Sequence, residues 1–174
     1  NIGVKYCNDI YGYGIYGFID GKEPEKRCVA IRADMDALPI TEQTSLDFKS
    51  INNGVMHACG HDIHMSSLFG TIKILNKLKD SFTGRVMFIF QPSEEEYPGG
   101  AISMIKAGIF NKVKPSAIFA FHSTPEMECG TVGMKEGKLM ASTDEIYITV
   151  KGKGGHGATP HLDIDPIVTA CHIV

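Results

Sequence analysis

Apolar residues along the chain change their spacing several times, and each change predicts an element. Residues 13–19 and 27–34 are short runs rich in β-branched and aromatic side chains, which read as strands joined by a turn through Asp20 and Gly21. Residues 37–60 are too polar and turn-rich for a regular element. Over residues 62–78 the apolar positions Ile63, Leu68, Ile72, Leu75 and Leu78 recur at helical spacing, and Lys77 and Lys79 suit the negative end of a helix dipole. Residues 85–90 form an almost unbroken apolar run ending at Gln91 and Pro92, the pattern of a parallel strand buried on both faces. A short helix closed by Gly108 follows over 101–108, then a second buried strand over 117–121, with His122 just past its end. Strand, helix, strand, helix, strand in this order predicts an α/β layer fold with a mostly parallel sheet flanked by helices. Ligands in such sheets bind outside the carboxyl ends of the strands, where Asp34, Gln91 and His122 stand.

After Gly130 glycines punctuate the chain, and Ile146, Ile148 and Val150 alternate as in a strand over 144–151. KGKGGHGATPH reads as a loop, and residues 166–174 as a helix with Pro166 in its first turn. The expected division is a first domain over 1–137 and the start of a smaller α+β domain over 138–174.

Composition narrows the partners. Of the 174 residues, 43% are hydrophobic and 21% charged, and the formal net charge is -3 without a long run of one sign, so no nucleic-acid partner is expected. No window approaches the roughly 18 apolar residues of a membrane span. The five cysteines lack paired short spacing, which fits a reduced, cytoplasmic setting. The first residue is Asn rather than Met, so an upstream segment is expected.

Candidate chemistry collects where the strands end. MHACGHDIH places Cys59, His61, Asp62 and His64 around Gly60, an inventory of thiol, imidazole and carboxylate donors at a helix start. In QPSEEE, the three carboxylates Glu94, Glu95 and Glu96 would repel one another unless a cation or solvent screened them. An extended backbone there points Glu94 and Glu95 in different directions, one toward a metal and the other toward a substrate. His122 is a third strand-end candidate. Asp34 and Asp36 in RADMDALP are expected to support a ligating imidazole through its other nitrogen, although Asp also serves as a turn residue. His156 and His161 lie on the glycine-rich loop, where a histidine could stabilise an oxyanion.

Taken together, RADMDALPI, MHACGHDIH, QPSEEE followed by GGA, the histidine after FAF, and GGHGATPHLDIDP resemble, in order, the motifs of the metallopeptidase family that contains aminoacylases and glutamate carboxypeptidases. The likeness is nearest to its branch of N-acyl-amino-acid amidohydrolases, which includes hippurate hydrolases, auxin-conjugate hydrolases and N-acetyl-diaminopimelate deacetylases. It covers nearly the whole chain, and the motifs are specific as a set rather than singly. The resemblance implies a zinc-peptidase-like catalytic domain joined to a lid or dimerisation domain. It also implies two divalent metal ions (zinc, manganese, cobalt or nickel) bound by Cys59, His61, Glu95 and His122, with Cys59 standing where relatives use a bridging aspartate. Glu94 becomes the general base, Asp36 a supporting carboxylate of the catalytic set, and His156 a transition-state stabiliser, often supplied across a homodimer through the lid. The implied substrate is a small N-acyl amino acid or short peptide, and the implied reaction hydrolysis of its amide bond. Family members are longer, and a returning segment supplies a final histidine ligand that His156, His161 and His172 do not provide. The chain is therefore expected to be an internal fragment, weakly active by itself.

Two rival readings stand beside this one. Cys59 could be a thiol nucleophile paired with His57, His61 or His64, or the chain could be a non-catalytic module that binds metal or dimerises through residues 144–151.

Overall fold

The computed structural model describes residues 2–174. It divides into two compact units, one ending at Glu128 and the other spanning Cys129–Val174. The division falls before the 137/138 boundary read from the glycine pattern, since residues 129–137 group with the segment that follows them.

The first unit is built on a sheet of β1 (Tyr6–Ile10), β2 (Gly14–Asp20), β3 (Cys28–Asp34), β4 (Arg85–Gln91) and β5 (Ala117–Phe119), in the order β1-β2-β4-β3-β5. β4, β3 and β5 run parallel, whereas β2 is antiparallel to β4 and β1 to β2. The sheet is thus mixed, and the mostly parallel expectation holds for the β4-β3-β5 side. The chain does turn between β2 and β3, but at residues 23–26 rather than at Asp20 and Gly21, and β4 lies between the two strands in the sheet. After β2 the chain bonds to the approach to β4, with Gly21 N–H donating to Gly84 O and Lys22 N–H to Phe82 O, both at 2.9 Å. Apolar periodicity identifies a strand but not its neighbour.

Alternation along the strands separates two apolar layers. Met87 and Ile89 of β4 pack with Cys28, Ala30, Met104 and Ile109 on the face covered by α2 (Gly100–Lys106). Phe88 packs with Ile19, Ala33, Leu68 and Ile72 on the face covered by α1 (His61–Lys77). Gly17 of β2 is required there, because a Cβ would collide with the Phe88 ring and the Lys5 carbonyl. Met87 is 0% exposed. Met87→Ala in the full-length protein is expected to cost about 2–5 kcal/mol, read as a shift in the urea unfolding midpoint. A change well under 1 kcal/mol would mean that this layer is not the packed core described.

Two elements depart from their expected burial. β5 is shorter than the expected 117–121 strand, and Ile118 and Phe119 are exposed because it pairs only with β3 among the described residues. On α1 Ile63 is exposed, as is Leu78 just past its end, while His61 and His64 join Leu68 and Ile72 on the buried stripe. The spacing of that stripe is helical, so the inward face was shared by apolar residues and imidazoles.

In the second unit, Lys153 and Ile164 exchange backbone hydrogen bonds at 3.0 Å and close the glycine-rich loop. α3 (Pro166–Ile173) begins at Asp165, whose side chain accepts from the Ile167 and Val168 N–H groups. The expected strand over 144–151 is not formed. Alternation makes a segment competent for a sheet, but no strand among the described residues pairs with it. Among the described residues no helix is long and apolar enough to cross a membrane.

Candidate metal centre

The parallel strands deliver their following loops to one end of the sheet. Asp34 at the end of β3 stands in register with Gln91 at the end of β4, and β5 continues toward His122 on the other side of β3. α1 starts at this end. Gly60, at φ 80°, turns the chain so that its carbonyl accepts from the Ile63 and His64 N–H groups, which brings Cys59 and His61 to the helix mouth.

His61 is 1% exposed, so its two ring nitrogens must be accounted for. Nδ1–H donates to the Asp36 carbonyl at 2.9 Å, with the Asp36 carboxylate Oδ1 at 3.3 Å. A carbonyl can only accept, so in the neutral ring Nε2 carries a bare lone pair. That nitrogen has no hydrogen-bond partner. Instead it faces Glu95 Oε1 at 3.7 Å, Asp34 Oδ2 at 3.8 Å and Glu94 Oε2 at 3.9 Å. His122 repeats the arrangement. Its Nδ1–H donates to the Ser123 carbonyl at 2.7 Å, and Nε2 lies 3.5 Å from Cys59 Sγ. A buried imidazole lone pair that faces only carboxylate oxygens, as His61 Nε2 does, is costly unless a cation fills the space.

Two ligand-type groups result, each with its donor atoms within 4.8 Å of one another: Cys59, His61 and His122, and His61, Glu94 and Glu95. Asp34, His61 and His64 satisfy the same distance test, but bonding excludes that set. His64 Nδ1–H donates to Asp34 Oδ1 at 2.6 Å, and its Nε2 accepts from the Ser123 N–H at 2.9 Å, so neither nitrogen is free. Asp34 Oδ2 accepts from Arg32 Nη1 at 2.8 Å, and Arg32 Nε donates to Gln91 Oε1 at 2.9 Å. Burial pushes the Asp34 carboxyl up, but the bond from His64 and the Arg32 charge outweigh it and hold the group below its ordinary range. Gln91, Arg32, Asp34 and His64 thus form a frame behind the candidate ligands.

Glu94 and Glu95 do not diverge as an extended backbone would require. Ser93 takes φ 50° and its carbonyl accepts from Gly100 N–H, so the segment bends and both carboxylates turn toward His61. They differ in cover: the Glu94 side chain is 41% exposed and the Glu95 side chain 26%. The Glu95 backbone is tied down by its N–H, which donates to Asp36 Oδ2 at 3.0 Å.

Burial and the neighbouring Glu95, Glu94 and Asp34 carboxylates push the Cys59 thiol up to about 11. A nucleophilic thiol needs the opposite environment. The pairings expected of a thiol hydrolase are also weak, because His57 is exposed and His64 has both nitrogens committed. The histidine bonded to Cys59 is His122. The chemistry of this donor set, thiol, imidazole and carboxylate crowded together, fits a divalent cation.

In the second unit His156 is exposed and its Nδ1 accepts from the Ala158 N–H at 3.1 Å, which leaves the ring proton on the outward Nε2. His161 lies within a short helical turn, Pro160–Leu162. Arg32 and Ser123 were not singled out from the sequence alone, and His64 stood there only as one donor of the MHACGHDIH cluster or a partner for Cys59; the stripe His61, His64, Leu68, Ile72 held the signal for its burial.

Comparison with known proteins bears on the family and the fold. The chain is 50% identical over 161 residues to N-acetylcysteine deacetylase of Bacillus subtilis, covering 92% of this chain and 41% of that protein. It is 47% identical over 154 residues to N-acyl-L-amino acid amidohydrolase of Geobacillus stearothermophilus, covering 88% of this chain and 41% of the relative. The chain therefore spans about two fifths of the length of these relatives. Its fold matches a solved Bacillus subtilis protein, described as a dinuclear metal-binding peptidase of the M20 family, with a TM-score of 0.72 and 44% identity over 78% of this chain and 37% of that one. The family model for peptidase family M20/M25/M40 matches residues 30–173, a span that holds every residue of the two ligand-type groups, and the chain belongs to that family.

Proposed function

We propose that the protein of which this chain is part hydrolyses the amide bond of N-acyl amino acids with two divalent cations held by Cys59, His61, Glu95 and His122. The observation that carries this reading is the buried, partnerless Nε2 of His61 facing three carboxylate oxygens. When bound, the cations supply Lewis-acid activation of water and of the amide carbonyl. The remaining work falls to the side chains. Glu94, the more exposed of the two carboxylates, takes a proton from the attacking water and gives it to the departing amine. His156, with its proton on Nε2, is the donor suited to a developing oxyanion. Asp36 holds the His61 ring through its carbonyl and the Glu95 backbone through its carboxylate. The names of the relatives, a deacetylase of N-acetylcysteine and an amidohydrolase of N-acyl-L-amino acids, support small N-acyl substrates. A homodimer through the second unit belongs to the same proposal, supported by the exposed, unpaired alternation at Ile146 and Ile148.

The test is elemental analysis of the full-length protein followed by a hydrolysis screen over N-acetyl, N-benzoyl and indole-acyl amino acids. The expected result is close to two divalent cations per chain and release of free amino acid from at least one class. Protein free of tightly bound metal and inert toward all three classes would refute the proposal.

A further inference from the structure

His122 is exposed and β5 before it is an edge strand, yet His122 must stand at a fixed place beside Cys59 if the two are to share a cation. Something must hold that loop. The contact that reaches it from the core is His64, 1% exposed, whose Nε2 accepts from the Ser123 N–H across 59 residues of sequence. A backbone N–H can only donate, so His64 is neutral with its proton on Nδ1, where Asp34 Oδ1 accepts it at 2.6 Å. Asp34 is in turn held by Arg32, and Arg32 by Gln91. The chain of bonds then continues outward: the Ser123 carbonyl accepts from His122 Nδ1–H, which directs His122 Nε2 at Cys59. Gly60 closes the same junction, because a Cβ there would collide with Ser123 Oγ. The His64 ring also stacks edge-on against His122 and Phe121, at centroid distances of 4.8 and 5.0 Å.

We infer that His64 is a positioning residue: a buried imidazole strut that carries the orientation of Asp34 to Ser123 and so sets the His122 ring against Cys59. This rests on the metal-centre reading for its consequence, but the strut itself is a property of the metal-free chain. Two substitutions cut it at different ends. In His64→Asn the amide sits where Nδ1 was, keeping a donor for Asp34 and losing the acceptor for Ser123. In His64→Gln the carbonyl sits near the place of Nε2, keeping the acceptor for Ser123 and leaving Asp34 short of a donor.

The experiment uses the full-length protein and reads three quantities for wild type and both variants: unfolding midpoint, amide exchange at Ser123 without metal, and affinity for Co(II). The Asn variant is expected to exchange Ser123 at least about tenfold faster and to bind Co(II) about 10–100-fold more weakly, with an altered visible spectrum. The Gln variant is expected to retain both but to unfold more readily, because a buried carboxylate has lost a partner. That reversed order is the signature, since a residue that merely fills space would rank the two variants alike in every measurement. Equal effects on Ser123 exchange and Co(II) affinity in the two variants, or a wild-type Ser123 amide that exchanges as fast as an exposed loop, would overturn the inference. The last reading needs neither variant to fold. Wild-type protein that protects Ser123 but binds no Co(II) would instead refute the metal centre and leave the strut standing.

Discussion

Glu94→Gln in the full-length protein is expected to lower kcat by about 10²–10⁴-fold while leaving the metal content unchanged, whereas Glu95→Gln is expected to strip metal from the site. The two residues are neighbours in sequence and both face His61 Nε2, at 3.9 and 3.7 Å, so distance alone does not separate them. Their anchoring does. Glu95 is the less exposed, its N–H is bonded to Asp36, and its carboxylate hydrogen-bonds with Cys59, which places it among the donors that a cation would draw together. Glu94 is more open to solvent and free to meet a water and a substrate. Glutamine preserves the shape of Glu94 but cannot accept and return a proton, so turnover falls without the cation being lost. Metal analysis of both variants beside the rate decides the matter, and equal loss of metal in the two would count against the division of roles.

Chelation is expected to abolish hydrolysis completely, with recovery on adding back a divalent cation, while alkylating agents leave the metal-loaded protein active. The thiol reading requires the reverse. With Cys59 pushed up to about 11, roughly one in 10⁴ of these groups is a thiolate at neutral pH in the metal-free protein. The sign follows from its surroundings. Burial and the nearby carboxylates both disfavour a negative sulfur, and a bound cation reverses this by replacing the proton. In metal-free protein the alkylation of Cys59 should therefore stay slow until the pH approaches that value. Cys7, Cys129 and Cys171 are exposed and react independently, so the Cys59 peptide must be followed by mass spectrometry. Activity that survives chelation and is lost on modification of Cys59 would sink the metal mechanism.

Much of this site was legible as chemistry before it was legible as geometry. Cys59, His61, Glu94, Glu95 and His122 declared themselves because thiols, imidazoles and adjacent carboxylates at the ends of apolar runs are difficult to explain as packing. The helix α1 and the strands β3 and β4 followed from period in the same way. The pairing of β2 with β4 did not, because a strand carries no mark of its partner. His64 was visible as a histidine in the motif, but its task was not. What distinguishes it from His61 is the occupation of its second nitrogen by Ser123, a residue unremarkable in sequence.

The donors themselves, their order and the helix that begins at one of them are written in residue type and spacing, which are properties of short stretches of chain. Which nitrogen of His61 and of His64 keeps its proton, which imidazole ties down Asp34, and which histidine braces rather than binds are settled by partners that folding brings together from 25 to 59 residues away. Protonation and orientation are set by the nearest donor or acceptor in space, and no local pattern encodes that neighbour.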